Sequence, residues 1–159
     1  GDVYKRQVSA QMEYSLLQRG IEREVVPAAV ALGVGIMAWS PLGRGVLTGK
    51  YRNNTPADSR GASKHFAGFI APYLAEKPRA IVDAVCVAAE ALGHNPIDVA
   101  LAWTLGRPQV STVITGARTA SQLKAMTHGL GTTLPQEIID ALDDVSWPDR
   151  GYPEYGWNQ

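Results

Sequence analysis

A strand-helix-strand pattern near the start of the chain constrains the fold more than any other feature. Segment 8–15 is short and mixed, and we interpret it as a strand. Segment 21–32 has the apolar spacing of a helix, and Gly33 is a typical helix end. The face expected to be buried comprises Ile21, Val25, Ala28, Ala29 and Leu32. Segment 35–39 predicts a buried strand, parallel to the first because a helix connects them.

The rest of the chain continues this alternation but contains only one further strand signal. Residues 40–77 are rich in Gly, Pro and polar residues and lack clear periodicity, which indicates a long functional loop. The further predicted elements are a helix over 81–92, a helix from Pro96 capped by Asn95, a strand over 110–115, a helix after Thr119 and a helix over about 134–145. This order predicts an α/β protein with a parallel sheet. Since three strands make a poor complete parallel sheet, we expect part of a larger fold.

Composition excludes several classes of function. The chain has 159 residues, with 15 basic and 15 acidic side chains and no basic run, so nucleic acid is not an expected partner. No apolar stretch approaches the roughly 18 residues of a membrane span, and no membrane association is expected. The single cysteine, Cys86, excludes an internal disulfide and a multi-cysteine metal site, and we predict a buried structural thiol. We expect a cytoplasmic protein.

The first candidate site follows the second predicted strand. Sites in α/β folds form at the carboxyl ends of strands, and residues 39–45 read Trp-Ser-Pro-Leu-Gly-Arg-Gly. Gly43 and Gly45 would let backbone amides approach an anion, and Trp39 offers a flat face to a ring. The alternative is a tight turn beside a core tryptophan.

The second candidate site follows the third predicted strand. Residues 114–119 lead into a capped helix, whose N-terminus suits phosphate and where Arg118 could contact phosphate oxygens in a forked geometry. The alternative is ordinary capping, with Arg118 solvated and Gln122 as the reciprocal partner of the cap.

Three phrases together resemble the aldo-keto reductase family. They are segments 11–17, 39–51 and 116–119, the last with Gln122 and Leu123, and their order and separations also match. The resemblance covers about Val8 to Val145 and is closest to the branch of bacterial aldo-keto reductases and potassium-channel β subunits. It implies the C-terminal part of a (β/α)8 TIM barrel, strands 6 to 8 with their helices, as an incomplete barrel.

The resemblance also implies a site for NADP(H) at the carboxyl-end face. Gln11 would hydrogen-bond the nicotinamide carboxamide, and Trp39 would stack on the nicotinamide ring. The residues that would wrap the pyrophosphate, largely through backbone, are Ser40, Pro41, Leu42 and Gly43.

The cationic positions that would pair with cofactor phosphates are Lys50, Arg60 and Arg118. Arg118 and Gln122 match the site for the adenosine 2′-phosphate and adenine, and Gly116 of the same phrase is included in the predicted cofactor site. At Ala125 and Met126 the family often has an acidic residue followed by Asn, so this chain lacks polar contacts expected at the adenine end.

The implied function is NADP(H)-dependent reduction of aldehydes or ketones to alcohols, with a small carbonyl compound as substrate. The family's catalytic Asp, Tyr, Lys and His belong to the first four strands and match no residue here, so we predict no catalytic residue and no metal ligand. The chain alone is expected to be inactive. The alternatives are a non-catalytic, redox-sensing NADP(H)-binding subunit and an inactive truncated fragment.

Further expectations concern the ends of the chain and its surfaces. Residues 1–7 are expected to be a non-native leader, and residues 8–159 the C-terminal half of the barrel. The exposed barrel edges could support self-association. The loop 60–75 and the tail 151–159 are expected to line part of the substrate pocket. Their aromatic side chains could equally be packing residues; these are Phe66, Phe69, Tyr73, Tyr152 and Tyr155.

Overall fold

Three parallel strands organise the part of the chain, residues 7–148, that a computed structural model describes. The strands are β1 (Ser9–Glu13), β2 (Gly35–Trp39) and β3 (Val110–Ile114), and β2 lies in the middle. The register places Glu13 opposite Trp39, and Trp39 opposite Ile114, so the three carboxyl ends meet at one edge. The strand-helix-strand prediction and the third strand are therefore confirmed.

Six α-helices and four short 3-10 segments connect and cover these strands within the described residues. The α-helices are α1 (Val25–Leu32), α2 (Ala67–Ile70), α3 (Glu76–Leu92), α4 (Pro96–Leu105), α5 (Ala120–His128) and α6 (Gln136–Val145). The 3-10 segments are Gly20–Glu22, Gly43–Thr48, Arg60–Ala62 and Ala71–Leu74. In residues 7–148 the helices are all too short or too polar to cross a membrane.

The helix predicted over 21–32 is wrong at its start and in part of its buried face. Pro27 lacks a backbone N–H, and its ring would clash with a carbonyl four residues earlier in a helix interior. The chain therefore forms a separate 3-10 turn at Gly20–Glu22, and α1 begins at Val25 with Pro27 in its first turn. Ala29 is buried as expected, but Ala28 and Leu32 are exposed, because α1 packs mainly on β2 and that turn.

Segment 40–77 is not one long irregular loop as predicted. Three 3-10 turns and the single turn α2 lie inside it, and α3 begins at Glu76. Each of these pieces is three to six residues long, too short to repeat a helical apolar spacing in the sequence. Periodicity alone therefore could not reveal them.

The apolar core lies between one face of the sheet and the helices. Ile36 and Ala38 of β2 are fully buried, as are Val85 of α3 and Val99 of α4. The opposite face of the sheet is more open, and Gln11 there is exposed. Helices therefore cover one face of the sheet, whereas the other face and the carboxyl-end edge beside it remain accessible to a ligand. Cys86 packs against this core but is only partly buried, which corrects the predicted buried thiol.

Candidate anion-binding cleft

The loop after β2 is held by hydrogen bonds between its own backbone N–H and carbonyl groups. Ser40, Gly43, Arg44 and Gly45 have φ values of 56°, 53°, 59° and 88°, which lie in the left-handed region. The Gly43 N–H donates to the Ser40 carbonyl at 2.8 Å, and the Gly45 N–H donates to the Leu42 carbonyl at 2.9 Å. The two glycines therefore shape the loop through their positive φ, while their amides serve the turn itself.

A cleft of about 540 Å³ opens beside this loop. The loop and the end of β2 contribute Trp39, Ser40, Pro41, Leu42, Arg44, Gly45, Thr48, Lys50 and Arg60 to its lining. The other side comes from α4, the end of β3 and α5, and contributes Ile97, Ile114, Thr115, Gly116, Arg118, Gln122, Ala125 and Met126. The two candidate sites that the sequence separates by about 75 positions thus form one cleft.

Four of these lining side chains are cationic and none is acidic. Arg44 is ion-paired with Glu13 at 3.1 Å. No carboxylate in residues 7–148 pairs with Lys50, Arg60 or Arg118. The resulting excess of positive charge beside low-dielectric protein attracts anions to the cleft.

Arg118 also joins the two sides of the cleft. Its Nη2 donates to the backbone carbonyl of Asp58 at 3.1 Å, so the segment before Arg60 lies against the start of α5. That segment is folded back by Gly61, whose N–H donates to the Tyr51 hydroxyl at 3.1 Å. A Cβ at Gly61 would come within 2.8 Å of the Tyr51 ring, so only glycine fits without movement.

The capping prediction at α5 is confirmed in a modified form. Thr119 Oγ1 accepts a hydrogen bond from the Gln122 N–H at 3.2 Å, as an N-cap should. Gln122 Oε1 accepts from the Arg118 N–H at 2.8 Å, one residue before the expected reciprocal partner. Gln122 therefore caps the helix and lines the cleft at once, and its role in cofactor binding stays a prediction.

An apolar strip runs along the α4 and α5 side of the cleft. Ala125 and Met126 lie there, so the two positions at which the sequence lacks polar groups do face the candidate site. Ile97 and Thr48 also line the cleft, and our sequence reasoning missed both. Ile97 directly follows Pro96 in the first turn of α4, and no local pattern indicated that this turn approaches β3.

Nine of the eleven residues predicted to bind the cofactor line this cleft, all except Gln11 and Gly43. Gln11 is exposed on β1 opposite Met37 and is not part of the lining. Gly43 is buried, and a Cβ there would lie 2.6 Å from Leu17 Cδ1, so its position packs inward. Of the loop 60–75, Arg60 alone lines the cleft, and the tail 151–159 with Tyr152 and Tyr155 lies outside the described residues.

Residues 7–148 contain no group of three His, Cys, Asp or Glu side chains placed to hold a metal ion. Asp98 instead has a structural role at the start of α4, where its Oδ2 accepts from the Asn95 N–H at 3.1 Å. His128 Nδ1 lies 3.1 Å from the same oxygen and joins the end of α5 to α4. This cluster therefore fastens two helices that border the cleft.

Comparison with known proteins gives a consistent set of matches. The model of the Aldo/keto reductase family matches residues 3–146. An uncharacterized oxidoreductase, YrpG, of Bacillus subtilis is 38% identical over 152 residues, which are 94% of this chain and 44% of the relative. A probable voltage-gated potassium channel subunit beta of Oryza sativa is 36% identical over 139 residues, 85% of this chain and 42% of the relative.

A third relative, the protein tas of Escherichia coli, is 33% identical over 140 residues, 88% of this chain and 40% of the relative. The chain therefore spans less than half the length of these curated relatives.

Proposed function

The chain belongs to the aldo/keto reductase family, and we propose that its cleft binds NADP(H) as part of an oxidoreductase acting on aldehydes or ketones. The observation that supports this most strongly is the lining of the cleft, which has four cationic side chains and no acidic one. The cleft also lies at the carboxyl ends of parallel strands, where α/β folds bind nucleotides.

The three cations that pair with no carboxylate of residues 7–148 fit a ligand with several phosphate groups. Lys50 and Arg60 lie on the segment after β2, and Arg118 lies across the cleft at the start of α5. Charge-assisted hydrogen bonds from such groups to phosphate are roughly twice as strong as neutral ones. We assign Arg118 to the adenosine 2′-phosphate and therefore expect a preference for NADP(H) over NAD(H).

The remaining lining fits the two rings of the cofactor. Trp39 is half-buried at the end of β2, and its face suits stacking with nicotinamide. Ile97 and Met126 offer an apolar strip to adenine. When bound, NADPH would supply the hydride for the carbonyl carbon. The residues of this chain orient the dinucleotide and neutralise its charge, and we assign none in 7–148 to proton transfer.

We further propose that β1, β2 and β3 are strands 6 to 8 of a (β/α)8 barrel. Three parallel strands, helices on one face and a ligand cleft at the carboxyl ends fit that arrangement. The open second face of the sheet would then look into the barrel. The share of 40–44% that the chain covers in its relatives fits three of eight repeating units.

The test is a calorimetric titration of the chain with NADPH and, separately, with NADH. We expect NADPH to bind more tightly, and Arg118→Met to weaken NADPH about tenfold, as for loss of a charge-assisted contact at an exposed site. NADH should be affected far less, because it has no 2′-phosphate.

Lys124→Met is the matched control, since Lys124 is an exposed cation of α5, the helix that follows Arg118, and does not line the cleft. Equal losses for the two cofactors, or an equal loss in the control, would contradict the assignment of Arg118. Failure of the unaltered chain to bind NADPH would contradict the proposed function.

A second candidate is a regulatory subunit that binds NADP(H) without turnover. It is favoured by the similarity to proteins named as probable potassium channel β subunits. The cleft residues suit both candidates, so binding does not separate them. Both candidates predict that the chain alone binds NADPH without consuming it, since no residue in 7–148 is assigned to proton transfer. The test that separates them is turnover by the full-length protein in the presence of a reactive aromatic aldehyde. Steady loss of NADPH absorbance that depends on the aldehyde would exclude the purely regulatory role.

A further inference from the structure

Arg44 differs from the other cations of the cleft because its guanidinium group is already engaged. Its Nε and Nη2 donate to the two carboxylate oxygens of Glu13, each at 3.1 Å. Its Nη1 donates to the Phe69 carbonyl at 2.8 Å. The guanidinium carbon also lies 3.5 Å from the centre of the Phe69 ring and 4.7 Å from that of Tyr73. Few donors remain for a ligand.

Arg44 and its partners join three separate parts of the chain. Glu13 ends β1, Arg44 belongs to the loop after β2, and Phe69 and Tyr73 belong to α2 and the 3-10 turn after it. The Tyr73 hydroxyl donates to Glu13 Oε1 at 3.1 Å and closes the cluster. We call these four residues the Arg44 latch.

The charged pair of the latch is mostly withdrawn from solvent, so its bonds are worth more than those of a surface pair, whereas Phe69 is 44% exposed. The side chains of Arg44 and Glu13 are 16% and 15% exposed. Loss of one partner would leave the other charge poorly compensated, which is costly at such burial. Burial and the neighbouring Glu13 carboxylate also raise the pKa of Tyr73, so its hydroxyl stays a donor at neutral pH.

The backbone of the loop depends on the same residue. Arg44 holds a left-handed φ of 59°, which costs energy for a side chain larger than glycine and persists only when the surroundings enforce it. Its N–H donates to Ser40 Oγ at 3.2 Å, and Ser40, itself at φ 56°, lines the cleft. The side-chain latch therefore acts on a residue whose backbone, together with the two glycines, sets the shape of the 40–45 loop.

From these contacts we propose that Arg44 is a positioning residue that preforms the phosphate-binding loop and couples it to segment 66–74. The proposal rests on the proposed binding of NADP(H) for its effect on affinity. A loop held in its binding conformation loses less conformational entropy when a ligand arrives, so the latch strengthens binding without touching the ligand. Segment 66–74 should be ordered whenever the loop is ordered, because the Phe69 and Tyr73 rings both contact the Arg44 guanidinium.

The direction in which Glu13→Gln changes NADPH affinity separates this proposal from simple electrostatics. Glu13→Gln removes a negative charge near the cleft, so electrostatics alone would strengthen NADPH binding. The latch predicts that Glu13→Gln weakens binding roughly five- to tenfold, because the forked ion pair is lost. Arg44→Lys keeps the positive charge but cannot form the fork, and should lose nearly as much as Arg44→Gln. Asp83→Asn is the control, since Asp83 pairs with Arg52 at 2.7 Å outside the cleft and should not weaken binding.

The second readout is hydrogen exchange of the chain without ligand. We expect Glu13→Gln to speed exchange of segments 40–48 and 66–74 together, while α3 and α4 remain protected. Tighter or unchanged NADPH binding in Glu13→Gln, or full retention of affinity in Arg44→Lys, would overturn the proposal. If the unaltered chain binds no NADPH, the proposed function fails, and exchange alone decides whether the latch orders the loop. Unchanged exchange in both segments would then overturn the latch as well.

Discussion

Replacement of Arg19 by Met tests which interactions hold the segment after β1 in place. The guanidinium of Arg19 is almost fully buried, with 4% of the side chain exposed. Its Nε and Nη2 donate to the two oxygens of Glu22 at 2.8 and 2.9 Å. Its Nη1 donates to the Asp143 carbonyl at 2.9 Å and to Ser146 Oγ at 2.8 Å. Arg19 therefore fastens the turn before α1 to α6.

The expected cost follows from what the substitution leaves behind. Loss of one partner of a buried ion pair costs about 3–5 kcal/mol. Glu22 would still accept the Tyr14 hydroxyl at 2.7 Å, and Asp143 would keep Arg107. Both carboxylates are also about a quarter exposed, so solvent offsets part of the loss. We therefore expect the low end, about 3 kcal/mol, and a melting temperature lower by about 6–12 °C for a chain of this size.

The assay is urea unfolding of the purified chain, followed by far-UV circular dichroism, with the slope m held common to both proteins. Arg23→Met is the matched control, because Arg23 is half-exposed and lies 3.9 Å from the exposed Glu24 carboxylate. That change should stay within about 0.5 kcal/mol. A loss below about 1 kcal/mol for Arg19→Met, or one no larger than the control, would refute the reasoning. If Arg19→Met does not fold, Arg19→Lys replaces it in the same assay. Lysine keeps the charge but cannot form the two-bond contact to Glu22, so this variant should also be less stable.

Three further predictions concern stability. Gly43→Ala should lower the free energy of unfolding in urea by about 1–2 kcal/mol, because its φ of 53° is unfavourable for alanine and the new Cβ would lie 2.6 Å from the Leu17 side chain. Gly68→Ala is the control and should be neutral or stabilising, because the space around this position in α2 is open. Equal effects of the two substitutions would contradict this prediction. Burial, followed by a hydrogen bond to a carboxylate, raises the pKa of Tyr14, so the folded state keeps its proton after the unfolded state has lost it. Tyr14 should then contribute a fall in the free energy of unfolding of about 1.4 kcal/mol per pH unit above about pH 10, in addition to any fall that Tyr73 contributes. Tyr14→Phe should make the slope shallower by that amount, whereas parallel pH profiles would contradict the prediction. Asp98→Ala should lower the free energy of unfolding by about 2 kcal/mol, because the buried Asp98 carboxylate caps the start of α4. Asp140→Ala, at an exposed position, should lower it by less than about 0.5 kcal/mol. Similar losses for the two variants would argue against the capping role of Asp98.

Local signals in the sequence predicted the elements whose ends have a chemical marker. Gly33 and Gly93 end α1 and α3 in the left-handed conformation, and Asn95 with Asp98 forms the cap at the start of α4. These features depend on a few neighbouring residues, so they can be recognised without knowledge of the fold. Pro27 carried an equally local signal, and its neglect explains the wrong start of α1.

The candidate site was predicted in its parts but not in its arrangement. Short phrases and their resemblance to a family indicated Trp39, Lys50 and Arg118, and the structure brings these residues to one cleft. Ile97 and the pairing of Arg44 with Glu13 had no such signal, because they depend on tertiary contacts, which for Arg44 and Glu13 join residues 31 positions apart. The positive φ of Ser40 was equally hidden, since a serine in that conformation is enforced by its neighbours.

The net charge of zero and the cationic cleft are compatible because fields depend on where charges lie. Fifteen basic and fifteen acidic residues cancel in total, but the lining of the cleft contains four of the former and none of the latter. Two acidic groups near the site are already engaged, Glu13 with Arg44 and Asp98 in a helix cap. The balance that argues against a polyanionic partner such as nucleic acid therefore coexists with a local potential suited to a small phosphate-bearing ligand. Because Lys50, Arg60 and Arg118 are exposed, that potential should weaken steeply with ionic strength, whereas the buried Arg44 latch should not.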